Sequence, residues 1–207
     1  MNQDNLVITI ERQYGSGGRE IGKMLAKRLG IPYYGREILL LTAKGKGMDV
    51  NQLESMDERR TGSVLHDLVN FIGGFQNYNR MMEPFDIFNA ESETIKKLAS
   101  DGPCVFFGRC ANFVVKDMCR QVRVFIYSTS REERVRRIHE IDHVPMDKAD
   151  EMLETRDRQR REYYKYFTKE EWGEKENYDV CLNSGTMGYE ACADALEQIY
   201  KKACRNS

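Results

Sequence analysis

A β-branched run, a glycine cluster and an amphipathic segment follow one another at the start of the chain, and that order constrains the fold more than any other feature. Leu6-Val7-Ile8-Thr9-Ile10 has the residue types of a fully buried strand. Tyr14-Gly15-Ser16-Gly17-Gly18 cannot continue it. Ile21, Met24, Leu25 and Leu29 then recur at helical spacing until Gly30 supplies a C-terminal stop. The result is a βα unit whose glycine loop faces the carboxyl edge of a sheet.

The rest of the chain extends this pattern. Ile31 to Tyr34 reads as a short strand and Glu37 to Ala43 as a helix. Patterning weakens over 45–84, where glycine pairs and an aromatic stretch, Phe71 to Phe88, suggest a mostly helical insert. Ile87 to Leu98 has helical spacing, Pro103 to Phe107 and Val122 to Tyr127 are strand-like, and Thr129 with Glu132 has the spacing of a capping box. A charged helix is expected from Met146 to about Tyr166, a last strand over Tyr178 to Asn183, and a closing helix over Gly188 to Ala203. Strands alternating with helices imply the α/β class, a parallel sheet covered on both faces. At 207 residues, one domain over 1–207 is the expectation.

Composition enters by what it excludes. Lys and Arg number 32 against 33 Asp and Glu, a net charge of −1 that argues against DNA or another long polyanion. No apolar run approaches the roughly 18 residues of a membrane helix, so no membrane partner is expected. The N-terminal residues lack the basic and apolar regions of a secretion signal. The six cysteines form no CxxC pair and no zinc spacing with the three histidines, so a cytoplasmic protein with free thiols and no resident metal is expected.

Glycine loops between strand and helix bind phosphate through backbone N–H groups and the positive end of the helix dipole. The full pattern, G-x-x-x-x-G-K-[ST], adds a lysine for the β/γ-phosphates and a hydroxyl for Mg²⁺. Here the loop reads Arg12 to Glu20, with Gly18 at the lysine position and Arg19 at the hydroxyl position. A tight turn with no ligand is the alternative. Arg12 and Arg19 are the candidates to replace the lysine, since phosphoryl transfer needs positioning and cationic charge more than covalent chemistry.

Ile10 through Gly30, IERQYGSGGREIGKMLAKRLG, resembles the opening of cytidylate kinases, and more closely that of the cytidylate kinase-like family with its lysine-less loop. Val105-Phe106-Phe107-Gly108-Arg109, the segment Phe125 to Arg137, Thr155 to Arg158, and Tyr178 to Asn183 resemble the later motifs in order. The resemblance implies a three-layer P-loop kinase fold with a helical acceptor-binding insert at 45–84 and a helical lid at 146–175. It implies ATP or another NTP with Mg²⁺ as cofactor, and a nucleoside monophosphate or other small phosphate as acceptor. Phosphate and nucleotide binding would fall to Gly15, Ser16, Gly17, Gly18, Arg19 and Glu20. Acceptor binding would fall to Arg36 and Arg109, and catalytic charge to Arg12, Arg19, Arg156 and Arg160. Several carboxylates of cytidylate kinases are replaced: Phe107 and Cys110 flank the Gly-Arg pair and Arg160 stands at a lid aspartate, while Gly35 follows the second strand where cytidylate kinase-like relatives often have Asp. A non-catalytic nucleotide sensor is therefore the alternative function.

Residues 156–165 carry five basic and two acidic side chains, a local +3 in a chain of −1, followed by interleaved aromatics up to Trp172. A lid built on Arg156, Arg158, Arg160 and Arg161 competes with a solvated helix whose aromatics belong to the core. A single-stranded RNA platform is the weaker third reading, given the neutral whole. Arg156 and Arg160 share a face at i,i+4. The sequence leaves oligomeric state open.

Overall fold

The computed structural model describes residues 5–46 and 84–205, so the 45–84 insert lies almost wholly outside the described residues. Five strands form one parallel sheet: β1 (Leu6–Arg12), β2 (Tyr33–Tyr34), β3 (Val105–Phe107), β4 (Arg120–Tyr127) and β5 (Val180–Asn183), in the order β2-β3-β1-β4-β5. The helices are α1 (Gly18–Leu29), α2 (Glu37–Lys46), α3 (Pro84–Asp101), α4 (Ala111–Val114), α5 (Arg131–Asp142), α6 (Met146–Thr168), α7 (Ser184–Met187) and α8 (Tyr189–Arg205).

Strand β1 is central because it can be buried on both faces. Its Leu6, Ile8 and Ile10 pack with Ile21 and Leu25 of α1 and with Leu196 and Tyr200 of α8. Val7 points the other way, into a cluster with Ile38 of α2, Ile95 and Ala99 of α3, and Ala111 of α4. The alternation is the period of two that places successive strand residues on opposite faces. Chain leaving β1 therefore turns to one face, and chain leaving β3 turns to the other. That divergence opens a crevice at the carboxyl ends of β1 and β3, where ligands bind in open α/β sheets.

A third cluster is aromatic. Phe88, Phe125, Tyr164, Phe167, Trp172 and Tyr178 are buried together beneath the C-terminal half of α6, with Phe88 and Phe167 stacked at 4.1 Å. The rings interleaved with the arginine tract are spent largely on this core. One boundary expectation is corrected: the cap of α5 is Ser130, whose Oγ accepts from Glu133 N–H at 3.2 Å. Thr129 instead engages Asn183. Two adjacent hydroxyls and two adjacent glutamates make either register readable from sequence.

Candidate active site

The conformation of the glycine loop is specified by its glycines and by the groups packed around them. Gly15 and Gly17 both have φ of 75°, a left-handed conformation that an L side chain adopts only with strain. A Cβ on Gly15 would lie 2.7 Å from the Arg134 carbonyl oxygen, and one on Gly17 would enter the Tyr189 ring. Ser16 is buried, and its hydroxyl donates to the carbonyls of Gln13 (2.9 Å) and Ile126 (3.2 Å). Ser184 Oγ donates to the Ser16 carbonyl at 2.7 Å. The amides of Gly15, Gly17 and Gly18 make no hydrogen bond among the described residues. They sit at the N-terminal end of α1, where anions are stabilised.

A charged latch ties this loop to α5 and α6. Tyr14 N–H donates to Asp157 Oδ1 at 2.7 Å, and Arg134 Nε donates to the Tyr14 carbonyl at 2.7 Å. Arg134 and Asp157 pair with each other, each with 8% side-chain exposure. Neither was singled out from sequence. Arg134 lies in a helix with arginines on every side, and only its single buried position distinguishes it.

On one side of the loop lies a cleft of about 740 Å³ between the ends of β1 and β3 and the face of α6. Among the described residues, seven Arg or Lys side chains line it against three carboxylates. Arg12, Arg19, Arg36, Arg109, Arg156 and Arg160 all reach it, which brings together the catalytic and acceptor candidates. Arg158 and Arg161 do not line it; both are exposed, and Arg161 lies over the Trp172 ring at 6.0 Å. The i,i+4 face of Arg156 and Arg160 is the inward one.

Arg12 and Arg160 form the centre of this cluster. Arg160 Nη1 donates to the Arg12 carbonyl at 3.2 Å and its guanidinium lies 5.3 Å from the Tyr14 ring centre. Burial, with the charge of Arg12 beside it, pushes Arg160 down to about 9. Burial likewise lowers Arg12 from its ordinary value. Both stay protonated at neutral pH, so two desolvated cations are held together. Two buried carboxylates flank them: Glu11, 3.7 Å from Arg12 and accepting from Trp172 Nε1 at 3.4 Å, and Asp157, 3.7 Å from Arg160. Burial pushes the Glu11 carboxyl up, with Arg12 and Trp172 opposing. An acid closing the hydrophobic run 6–10 is the one signal for it in the sequence.

Arg109 has φ of 62° and pairs with Glu91 of α3, so its charge reaches the cleft partly neutralised. Gln159 is 4% exposed, lines the cleft, and neither of its amide atoms has a partner among the described residues.

A second cleft of about 460 Å³ lies on the other side of the loop, lined by Gly15, Ser16, Glu20, Arg136, Arg137, Gly185 and Tyr189 among others. Glu20 faces this side and pairs with Arg137. With Arg19 at the hydroxyl position and Glu20 tied to Arg137, these residues do not build a resident Mg²⁺ site. No group of three His, Cys, Asp or Glu could hold a metal among the described residues.

The profile of the cytidylate kinase-like family matches residues 7–186. The chain belongs to that family. Among solved structures, an uncharacterized protein from Eubacterium ventriosum is 23% identical, covering 94% of this chain and 97% of its own, with a TM-score of 0.68. Shikimate kinase from Bacteroides thetaiotaomicron is similar in fold at 12% identity, covering 95% and 98%, with a TM-score of 0.53. Shikimate kinase from Acinetobacter baumannii in complex with shikimate follows at 12%, covering 96% and 94%, with a TM-score of 0.51. No curated protein matches. The family and these neighbours establish a kinase-type P-loop fold, and none of the described helices is long and apolar enough to cross a membrane.

Proposed function

We propose that this family member binds a nucleoside triphosphate and transfers its γ-phosphoryl group to a small phosphate-bearing acceptor, a nucleoside monophosphate in the first instance. The observation that carries this reading is the cluster of desolvated cations at the crevice, centred on Arg12 and Arg160. Glu11 and Asp157, each at 3.7 Å, offset only part of their repulsion; a phosphate between them would add charge-assisted hydrogen bonds. The chain's net charge of −1 does not describe this local field.

The two clefts share the glycine loop as their common wall, which suits an in-line transfer. The donor base and ribose would occupy the smaller cleft, beside Tyr189 and Arg137. Its phosphates would cross the amides of Gly15, Gly17 and Gly18, and the acceptor would lie in the larger cleft. An acceptor phosphate oxygen forms the new P–O bond as the β–γ bridging P–O bond breaks, and the nucleoside diphosphate carries the electron pair away. Arg12, Arg156 and Arg160 would neutralise the charge spread over the transferring group. Mg²⁺ arrives with the nucleotide as part of the substrate. An ionised phosphate nucleophile needs no general base, which fits Gly35 and Phe107 where carboxylates would otherwise stand.

Release of nucleoside diphosphate from MgATP, followed with CMP, dCMP, UMP and AMP as acceptors, tests the proposal. Turnover with at least one is expected. Tight MgATP binding with no turnover across the panel would overturn it in favour of the sensor reading, which the missing loop lysine supports.

A further inference from the structure

The lysine position and the opening glycine position of the phosphate loop are exchanged in this chain. The pattern G-x-x-x-x-G-K has glycine first and lysine last; here Arg12 stands first and Gly18 last. The structure shows that these two positions touch. A Cβ on Gly18 would lie 2.8 Å from Arg12 Cβ and 3.1 Å from Arg12 Cγ. Arg12 Cβ is fixed by the backbone, so no change of rotamer opens that space. A side chain at 18 and a side chain at 12 exclude each other, and a glycine at 12 would free the volume a lysine at 18 needs.

We infer that the loop's phosphate-binding cation has moved from position 18 to position 12, and that Arg12 is the catalytic residue that replaces the lysine. This inference rests on the nucleotide-binding reading above. The route of the side chain supports it. The Arg12 guanidinium crosses Gly108, where an added Cβ would meet Nη1 at 2.5 Å, and settles 4.0 Å from the centre of the Phe107 ring. Gly18, Gly108 and Phe107 thus each accommodate one part of it: stem, head group and cationic face. An acid at 107 would set a second carboxylate beside the guanidinium, which already lies 3.7 Å from Glu11; the phenyl ring holds it by cation–π attraction without neutralising it further. Its Nε has no partner among the described residues. Arg19, the other candidate, is an exposed side chain on α1.

Calorimetric titration with MgATP, paired with turnover measurements, tests the exchange on the full chain. Arg12→Gly and Gly18→Lys should each weaken MgATP binding, Arg12→Gly by roughly tenfold to a hundredfold as charged hydrogen bonds are lost. The double variant Arg12→Gly/Gly18→Lys should recover to within about tenfold of the parent, since charge and space are both restored. Arg12→Gln keeps the stem and removes the charge, and serves if Arg12→Gly does not fold. Parent-like binding by Arg12→Gln, or a folded double variant no better than either single, would overturn the exchange. Failure of the parent itself to bind MgATP would instead overturn the nucleotide reading.

Discussion

Replacing Asp157 with alanine should be among the most damaging single substitutions in the described chain. The carboxylate is held by the Arg134 guanidinium and the Tyr14 N–H at the root of the glycine loop, and lies 3.7 Å from Arg160. Removing one member of a buried ion pair costs about 3–5 kcal/mol, because the other charge stays buried and unpaired. The orphaned Tyr14 amide adds about 1 kcal/mol or more. In a chain of 207 residues each kcal/mol moves the melting temperature by about 2–4 °C, so a fall of about 8–24 °C is expected in a thermal melt. Asp157→Asn should cost less, since its carbonyl oxygen can still accept from Tyr14. Arg134→Met/Asp157→Leu should be milder than Asp157→Ala, as the Arg134 charge leaves with its partner and only Arg160 loses a carboxylate neighbour. A fall below about 3 °C for Asp157→Ala would refute the latch as an energetic unit.

Three other outcomes follow from single features. Gly15→Ala forces a Cβ to within 2.7 Å of the Arg134 carbonyl at φ of 75°; a loss of about 2 kcal/mol or more in chemical denaturation is expected. Gln159→Leu replaces a buried amide with no partner among the described residues by an apolar side chain of similar size, and should raise stability by about 1 kcal/mol or more. Urea midpoints without ligand check this, and a destabilised variant would show the amide to be satisfied. Burial raises the Glu11 carboxyl above its ordinary 4.5, so its neutral form is favoured by folding. Stability from this group is greatest below pH 4.5 and declines as pH rises through the folded-state value. Glu11→Gln should therefore gain on the parent as pH rises from 4.5 in melts across that range, and a constant difference would refute the assignment.

The parts of this fold that sequence could show are those where one physical signal dominates. The run 6–10 is apolar at every position but Thr9, which only a strand buried on both faces requires, and it is the central strand. Gly15 and Gly17 were legible as turn residues because only glycine relieves the strain they carry. The arginines were not separable in the same way. In α5 the positions 131–137 are charged at all but Val135, so helical periodicity assigns no inner face, and Arg134 looks like its neighbours. In α6 the i,i+4 rule selected Arg156 with Arg160, and could not say that Asp157 between them is the anchored residue. The Arg12–Gly18 contact joins residues six apart through the loop's tertiary path, which no local pattern encodes.

The latch also bears on the lid that the family resemblance leads one to expect at 146–175. A flap that swings over a ligand needs a hinge outside the residues that touch the ligand. Here the anchor at Asp157 falls between Arg156 and Arg160, inside the contact face itself. Each guanidinium is then displaced by its own side-chain torsions while the helix axis stays with the loop. On the function proposed above, an arriving phosphate would meet a wall already in place, with the entropy of ordering it lost when the chain folds. In such a site, specificity comes from what fits the standing gap, and a turnover that required α6 to lift would have to break the same bonds that keep the loop in shape.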